Sequence, residues 1–211
     1  MISDYLAFFS ELPSSFKEIG SVIPSSPFLV KKLLTAMPGP ERSRRILEVG
    51  PGTGALTKKI LENLTPKDEF VLYEKNEVFA QYLANMLAEK NGSASNVKLL
   101  NADIRDLGQN PEDKKFDVIF SGLPFTNFEA GMVEEIANLL RDNLKQGGTL
   151  AFFGYLALPK IRQIYASPKE KKRIKEVVDT LEKFCAQATS ARVEKVFLNI
   201  PPAHGTMLNF S

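Results

Sequence analysis

The run Ile46-Leu47-Glu48-Val49-Gly50-Pro51-Gly52-Thr53-Gly54 decides how the rest of the chain is read. Ile46–Val49 is a short strand with a carboxylate two residues before the first glycine. The three glycines then turn the chain tightly into a helix. They let a flat ligand approach the backbone without meeting a Cβ, and the helix that follows offers its free N–H groups at the same place. Continued through Ala55, the turn satisfies G-x-G-x-x-G/A, a pattern shared by NAD(P) and other nucleotide-like ligands.

Strands and helices alternate outward from the turn. Ala55–Leu64 has apolar residues at helical spacing and is stopped by Thr65-Pro66. Phe70–Tyr73 is a second strand, ending on Glu74. Glu77–Lys90 is a helix with Val78, Tyr82, Leu83, Met86 and Leu87 on one face, closed by Asn91-Gly92. Val97–Leu100 is a third strand leading to Asp103, and Phe116–Phe120 a fourth leading to Ser121-Gly122-Leu123-Pro124-Phe125. Glu129–Leu144 reads as a helix terminated by Gln146-Gly147-Gly148, and Thr149–Leu156 as a fifth strand. This alternation predicts a parallel sheet with helices on both faces. The strands are continuous apolar runs, as doubly buried strands are. Pro168–Cys185 is then a helix, and Ala191–Ile200 and Thr206–Phe210 form an antiparallel edge hairpin joined by Pro201-Pro202-Ala203-His204-Gly205.

Before this core, Ile2–Ile19 is aromatic (Tyr5, Phe8, Phe9, Phe16) and is divided by Pro13-Ser14-Ser15 into two short helical pieces. Ser25-Ser26-Pro27 opens a helix through Phe28–Thr35, with an N-cap and a proline in the first turn. Residues 1–36 therefore read as a helical lid or membrane-docking segment and 37–211 as the main domain.

Bulk composition narrows the options. The chain has 211 residues, 44% of them apolar, enough for one substantial α/β domain. A net charge of +2 is too mild to announce nucleic-acid binding, so none is expected. A single cysteine, Cys185, makes no intrachain disulfide and suits a reducing, cytoplasmic location. No apolar run reaches the roughly 20 residues needed to span a bilayer. A monomer is expected.

Three carboxylates refine the ligand. Glu48 near the first strand's end would oppose a pyrophosphate but suits a ligand bearing an amine and a sulfonium. Glu74 at the second strand's end can accept two ribose hydroxyls. Asp103 after the third can take a hydrogen bond from an adenine amino group. Taken singly, Glu74 also reads as a solvated strand end, and Asp103 as a cap for the turn before Arg105. Together they line the carboxyl edge of the sheet, where ligands of open α/β sheets bind.

Glu-x-Gly-x-Gly-x-Gly, the acidic end of strand two, Asp103 and the edge hairpin resemble a class I S-adenosylmethionine-dependent methyltransferase over residues 44–211. The resemblance implies a Rossmann-like fold with a seven-stranded, mostly parallel sheet. It also implies S-adenosylmethionine as cofactor, S-adenosylhomocysteine as product, and no metal. It places Glu48, Gly50, Pro51, Gly52, Thr53 and Gly54 at the methionine part, Glu74 and Lys75 at the ribose, Asp103 and Ile104 at the adenine, and Ser121, Gly122 and Leu123 beside them. The turn is also similar to that of ribosomal RNA adenine dimethyltransferases, matched through Thr57. Their Asn-Leu-Pro-Tyr motif, however, reads Gly122-Leu123-Pro124-Phe125 here and lacks the asparagine that would hold a flipped adenine.

Ile19–Ser26, the glycine turn, Ser121–Pro124 and Asn199–Ala203 more closely resemble the soluble bacterial phospholipid N-methyltransferases. That resemblance implies methylation of phosphatidylethanolamine towards phosphatidylcholine by a peripheral enzyme on the inner face of the cell membrane. It points to Ser26, Pro124, Phe125, Phe128 and Tyr155 for substrate, with Tyr155 and His204 as proton acceptors. Where the family carries an arginine-type residue after Pro-Pro-Ala, this chain has His204. Aromatic faces at Phe125, Phe128 and Tyr155 would favour a methylated ammonium. The run Lys169, Lys171, Lys172, Arg173 and Lys175 reads either as attraction for anionic lipid or as the solvated face of the late helix.

Overall fold

The computed structural model describes residues 26–89, 96–109, 115–155, 167–198 and 202–211. The aromatic leader Ile2–Ile19 and the tripeptide 199–201 lie outside the described residues. In chain order the elements are α1 (Pro27–Leu34), β1 (Arg45–Val49), α2 (Ala55–Leu61), β2 (Glu69–Tyr73), α3 (Glu77–Glu89), β3 (Val97–Leu100), β4 (Phe116–Ser121), α4 (Ala130–Asp142), β5 (Leu144–Tyr155), α5 (Pro168–Cys185), β6 (Ser190–Val196) and β7 (Ala203–Asn209). Single turns of 3₁₀ helix follow β3 (Ile104–Asp106) and β4 (Phe125–Asn127).

The seven strands form one sheet in the order β3-β2-β1-β4-β5-β7-β6. β1 to β5 are parallel, and β7 is antiparallel to both β5 and β6. This is the expected seven-stranded, mostly parallel sheet with an antiparallel edge. The chain leaves β1 for β2 and β3, then crosses back to β4. The β1/β4 border is therefore the topological switch point, where open α/β sheets bind their ligands.

One face of the sheet packs under α4 and α5 through Leu47, Val49, Ile119, Leu150, Phe152, Val133, Ile136, Val177 and Leu208. The other packs under α1 and α2 through Ile46, Phe70, Val118, Phe120, Met207, Leu29, Leu33 and Ile60. Leu29 and Leu33 are fully or almost fully buried. Residues 27–34 thus belong to the domain's core rather than to a detachable lid. Ser26 caps α1 by accepting from the Leu29 N–H at 3.3 Å.

Two boundaries differ from the sequence reading. The helix expected to run to Leu144 ends at Asp142, and β5 starts at Leu144, paired with Phe116. The next described pair is Val118 with Thr149, so residues 145–148 bulge out of the ladder. Gly147 takes φ +73° there, a conformation that costs other residues energy. The second difference matters more. Ala203, His204 and Gly205, expected in the hairpin link, are the first three residues of β7. They pair across with Tyr155, Gly154 and Phe153 of β5. Ladder pairing of their backbone groups outweighs the turn propensity of the Pro-Pro-Ala-His-Gly composition.

At the opposite edge of the sheet a buried ion pair closes the domain. The Arg44 Nε and Nη2 donate to Asp68 Oδ1 and Oδ2 at 3.0 and 2.6 Å. The remaining guanidinium donors reach the carbonyls of Pro38 and Asn63. Burial by itself would raise the Asp68 carboxyl, but donors from Arg44 and Thr65 outweigh it and leave the group at about 2.

Candidate functional site

The site is built where the β1 and β4 loops meet. Gly50 (φ +63°), Gly52 (φ +54°) and Gly54 (φ +72°) all adopt the left-handed conformation that favours glycine. The Gly54 N–H donates to the Pro51 carbonyl at 2.9 Å, closing the turn, and Gly54 caps α2. The glycines differ in what surrounds them. A Cβ at Gly50 would come within 3.0 Å of Leu123 Cδ2, and one at Gly54 within 3.0 Å of Leu83 Cδ2. A Cβ at Gly52 would meet nothing within 4 Å. Gly50 and Gly54 are there for packing, whereas Gly52 faces open space.

Thr53 is buried beside this turn, and Pro51 is half-buried. The β4 loop crosses immediately behind it. The Gly122 N–H donates to the Val49 carbonyl at 2.7 Å. A Cβ on Gly122 would lie 2.4 Å from the Gly50 carbonyl oxygen, a backbone atom that cannot move aside. Leu123 and Pro124 are half-buried next to it, and Ser121 is buried at the end of β4.

The three carboxylates take different positions. Glu74 is a buried acceptor rather than a solvated strand end: Oε2 accepts from Gly52 N–H at 3.0 Å and Oε1 from Asn76 N–H at 2.8 Å. Burial raises this carboxyl above its ordinary value, against the backbone donors from Asn76, Gly52 and Lys75. Asp103 sits at the mouth. It accepts from Lys75 Nζ at 2.9 Å, from Arg105 Nη2 at 2.8 Å, and from the Arg105 N–H at 3.0 Å, so it also caps the short turn. Arg105, then Lys75, hold it well below the usual carboxylate range, against a smaller opposing effect of burial. Ile104 is buried behind it.

Glu48 is deeper than its sequence position suggested. It is 2% exposed, and its Oε2 accepts from the Thr57 hydroxyl of α2 at 2.8 Å. Burial pushes this carboxyl up to about 8; the Thr57 hydrogen bond opposes the shift and neighbouring Glu74 adds to it. In this structure Glu48 ties β1 to α2 rather than lining the open space over Gly52. The sequence reading noted Thr57 only as a motif match and missed its role as the partner of Glu48.

The acceptor side lies along the ends of β4, β5 and β7. Phe125 is 6% exposed and packs edge-on against Phe152 and Phe128, with ring centroids 5.9 and 6.5 Å apart. Its ring is a core element, which corrects the expectation that its face meets the substrate; half-buried Phe128 keeps that option. The Phe128 and Thr126 carbonyls accept from Arg173 Nη1 and Nη2 at 2.6 and 3.0 Å. Arg173, expected as a surface cation, instead ties α5 to the loop after β4.

His204 lies between Gly154 of β5 and Lys195 of β6. The imidazole rests on Gly154, where a Cβ would come 2.8 Å from its Cε1. Burial, then Lys195, lowers its pKa below 6.5. Its buried Nδ1 has no hydrogen-bond partner among the described residues. Tyr155 ends β5, its backbone paired with Ala203; its side chain lies outside the described residues. Ser26, by contrast, is engaged in capping α1.

Residues 46–148 match the family model described as "Methyltransferase domain". The chain carries a class I S-adenosylmethionine-dependent methyltransferase domain. Its relatives agree. The methyltransferase is 27% identical over 151 residues to an ornithine lipid N-methyltransferase of Singulisphaera acidiphila, covering 70% of this chain and 76% of the relative. A 65-residue stretch is 37% identical to ribosomal RNA small subunit methyltransferase A of Blochmanniella pennsylvanica, but spans only 31% of this chain and 22% of that one. The O-methyltransferase TomG of Streptomyces achromogenes, solved in complex with SAM, superposes with a TM-score of 0.62 at 18% identity, over 94% of this chain and 96% of TomG.

S-adenosylmethionine is therefore the cofactor of this methyltransferase, and the residues present fit it. The space over Gly52 is open and leaves room for a ligand against the backbone, which a large side chain there would occupy. Glu74 stands beside it with two oxygens suited to a vicinal diol, and Asp103 stands at the next strand end with acceptor capacity for an exocyclic amine.

Proposed function

We propose that this methyltransferase N-methylates the amine of phosphatidylethanolamine, stepwise towards phosphatidylcholine, working from the cytoplasm at the inner face of the cell membrane. The observation that carries the reading is the similarity to an ornithine lipid N-methyltransferase across 70% of this chain. The shared chemistry is a primary amine on a membrane lipid. The same relative favours a second acceptor, the amine of an ornithine-type lipid.

The loop after β4 counts against the nucleic-acid alternative. An asparagine cannot replace Gly122 on this backbone, because its Cβ would collide with the Gly50 carbonyl at 2.4 Å. The side chain that would grip a flipped adenine is excluded by geometry, not merely absent from the sequence.

When bound, S-adenosylmethionine supplies an electrophilic methyl group: the amine lone pair forms the N–C bond as the C–S bond breaks, and that electron pair leaves on sulfur. The protein's part is to orient and desolvate the partners and to take the proton that makes the amine a nucleophile. His204 suits this task, since burial and then Lys195 lower its pKa and so favour the neutral imidazole that can accept a proton. Tyr155, one residue from His204's strand partner Gly154, is the other candidate. Phe128, held by Arg173, offers an aromatic surface that favours the methylated ammonium.

The test is incubation with radiolabelled cofactor and liposomes containing phosphatidylethanolamine or ornithine lipid, in parallel with ribosomal RNA. Label in a lipid headgroup supports the reading, and the preferred liposome identifies the acceptor. Label in RNA alone refutes it.

A further inference from the structure

Large apolar side chains are rarely left in water without a use, and contiguous ones mark interaction surfaces. Two stand next to each other in the turn after β6: Phe197 is 72% exposed and Leu198 69%. β6 runs alongside β5 with β7 antiparallel between them, so this turn lies at the same edge of the sheet as the β1 and β4 loops.

A third exposed apolar side chain joins them. α1 lies antiparallel to β6, with Thr35 bonded to Arg192 and Lys32 Nζ bonded to Glu194 at 2.9 Å. One turn before Lys32 on the same helix face is Phe28, 53% exposed. Four helical residues advance about 6 Å. That matches the two strand residues from Glu194 to Val196, about 6.6 Å. Phe28 therefore stands beside the turn that carries Phe197 and Leu198.

Cations surround the same edge. Arg173 fixes the first turns of α5 to the loop after β4. This brings the exposed Lys169, Lys171, Lys172 and Lys175 to that end of the molecule. Lys195, exposed on β6, pairs across with His204. An apolar tip with lysines around it, beside the acceptor site, matches an anionic bilayer in both charge and polarity.

We propose that Phe197, Leu198 and Phe28 form a docking surface that enters the interfacial layer of an anionic phospholipid bilayer and sets the mouth of the site against the lipid headgroups. This rests on the lipid-methylation reading for its purpose, and names three residues that the sequence motifs did not. Val196 and Ala203, a cross-strand pair on β6 and β7, are buried and anchor the strand ends next to Phe197 and Leu198 in the core.

The chain contains no tryptophan, so a single indole reports its own surroundings. The experiment places one by Phe197→Trp in the full chain and, as the control, by Lys183→Trp on the exposed far end of α5. Each variant is titrated with phosphatidylglycerol–phosphatidylcholine vesicles, with phosphatidylcholine vesicles, and with vesicles brominated on the acyl chain. The expected result is a blue shift and bromine quenching at position 197 on anionic vesicles only, with neither at position 183. The double variant Phe197→Ser/Leu198→Ser is expected to bind anionic vesicles about tenfold or more weakly, with an unchanged affinity for S-adenosylhomocysteine.

A water-exposed indole at 197 on vesicles that sediment with the protein overturns the proposal. So does wild-type protein that fails to sediment, or an emission shift that follows protein concentration instead of lipid, which assigns the tip to a second copy of the chain. The two readings fail separately. Insertion at 197 without any lipid methylation refutes the proposed reaction and leaves the docking surface standing. Lipid methylation without insertion refutes the docking surface alone.

Discussion

Glu48→Gln tests the least ordinary group in the molecule. The carboxyl is fully buried, and its pKa is raised from 4.5 to about 8 by that burial, with a further push from Glu74 and against the Thr57 hydrogen bond. At about 1.4 kcal/mol per pH unit, the gap corresponds to about 5 kcal/mol. The folded value lies above the unfolded one. The favourable contribution is therefore complete below pH 4.5 and is lost as pH rises through 8. Over that window the folded state keeps a proton that the unfolded state has released, and stability falls. Glutamine reproduces the protonated form, because its carbonyl accepts from the Thr57 hydroxyl and its amide replaces the acid O–H. It does not titrate. Glu48→Gln should match wild type near pH 4.5, exceed it by about 3 kcal/mol at pH 7, and exceed it by up to about 5 kcal/mol above pH 8. Urea unfolding followed by circular dichroism at pH 5, 7 and 9 measures this, and the difference between the two proteins cancels most groups they share. A stability difference that does not change with pH, or one that favours wild type increasingly at alkaline pH, would refute the burial argument.

The other expectations concern the cradle, the acceptor site and the scaffold. Gly52→Arg fills the only one of the three turn glycines that faces open space; calorimetry should show S-adenosylhomocysteine affinity reduced by more than about 100-fold, with about 1–2 kcal/mol of stability lost to the positive φ. Gly154→Ala puts a methyl 2.8 Å from His204 Cε1; the ring must swing, and kcat should drop about 10–100-fold while cofactor affinity holds. The lowered His204 pKa puts the acid limb of the rate profile below pH 6.5, and His204→Asn should remove that limb; a limb that survives the substitution transfers the proton-acceptor role to another group. Arg44→Ala leaves Asp68 charged, buried and unpaired, which should cost about 3–5 kcal/mol in denaturant unfolding without changing cofactor affinity.

Much of this molecule was legible before its fold. The order of strands and helices, the parallel core and the antiparallel edge all follow from apolar runs, glycine turns and proline stops, because those signals are local. The apolar spacing of Pro168–Cys185 gives the bounds that α5 has, and the structure adds the Ser167 cap at its start. Local signals failed where long-range pairing competed with them. Residues 203–205 carry turn composition, yet join a strand because β5 and β6 each offer them a ladder of backbone partners. Leu144 reads as the end of a helix, yet pairs with Phe116, 28 positions earlier in the sequence.

The sequence by itself determined the chemistry of the cradle. Three glycines at alternate positions and a carboxylate at each of three strand ends need only the backbone path of an α/β sheet to converge on one edge. The tertiary structure alone decided what each of those groups does there. Gly52 faces open space while Gly50 and Gly54 face Leu123 and Leu83; Glu48 is buried under Thr57 while Glu74 reaches Gly52; Phe125 packs inward and Phe197 outward. The physical reason is that burial and hydrogen-bond partnership belong to pairs of residues far apart in the chain, and spacing along one strand or turn carries no record of what will pack across from it.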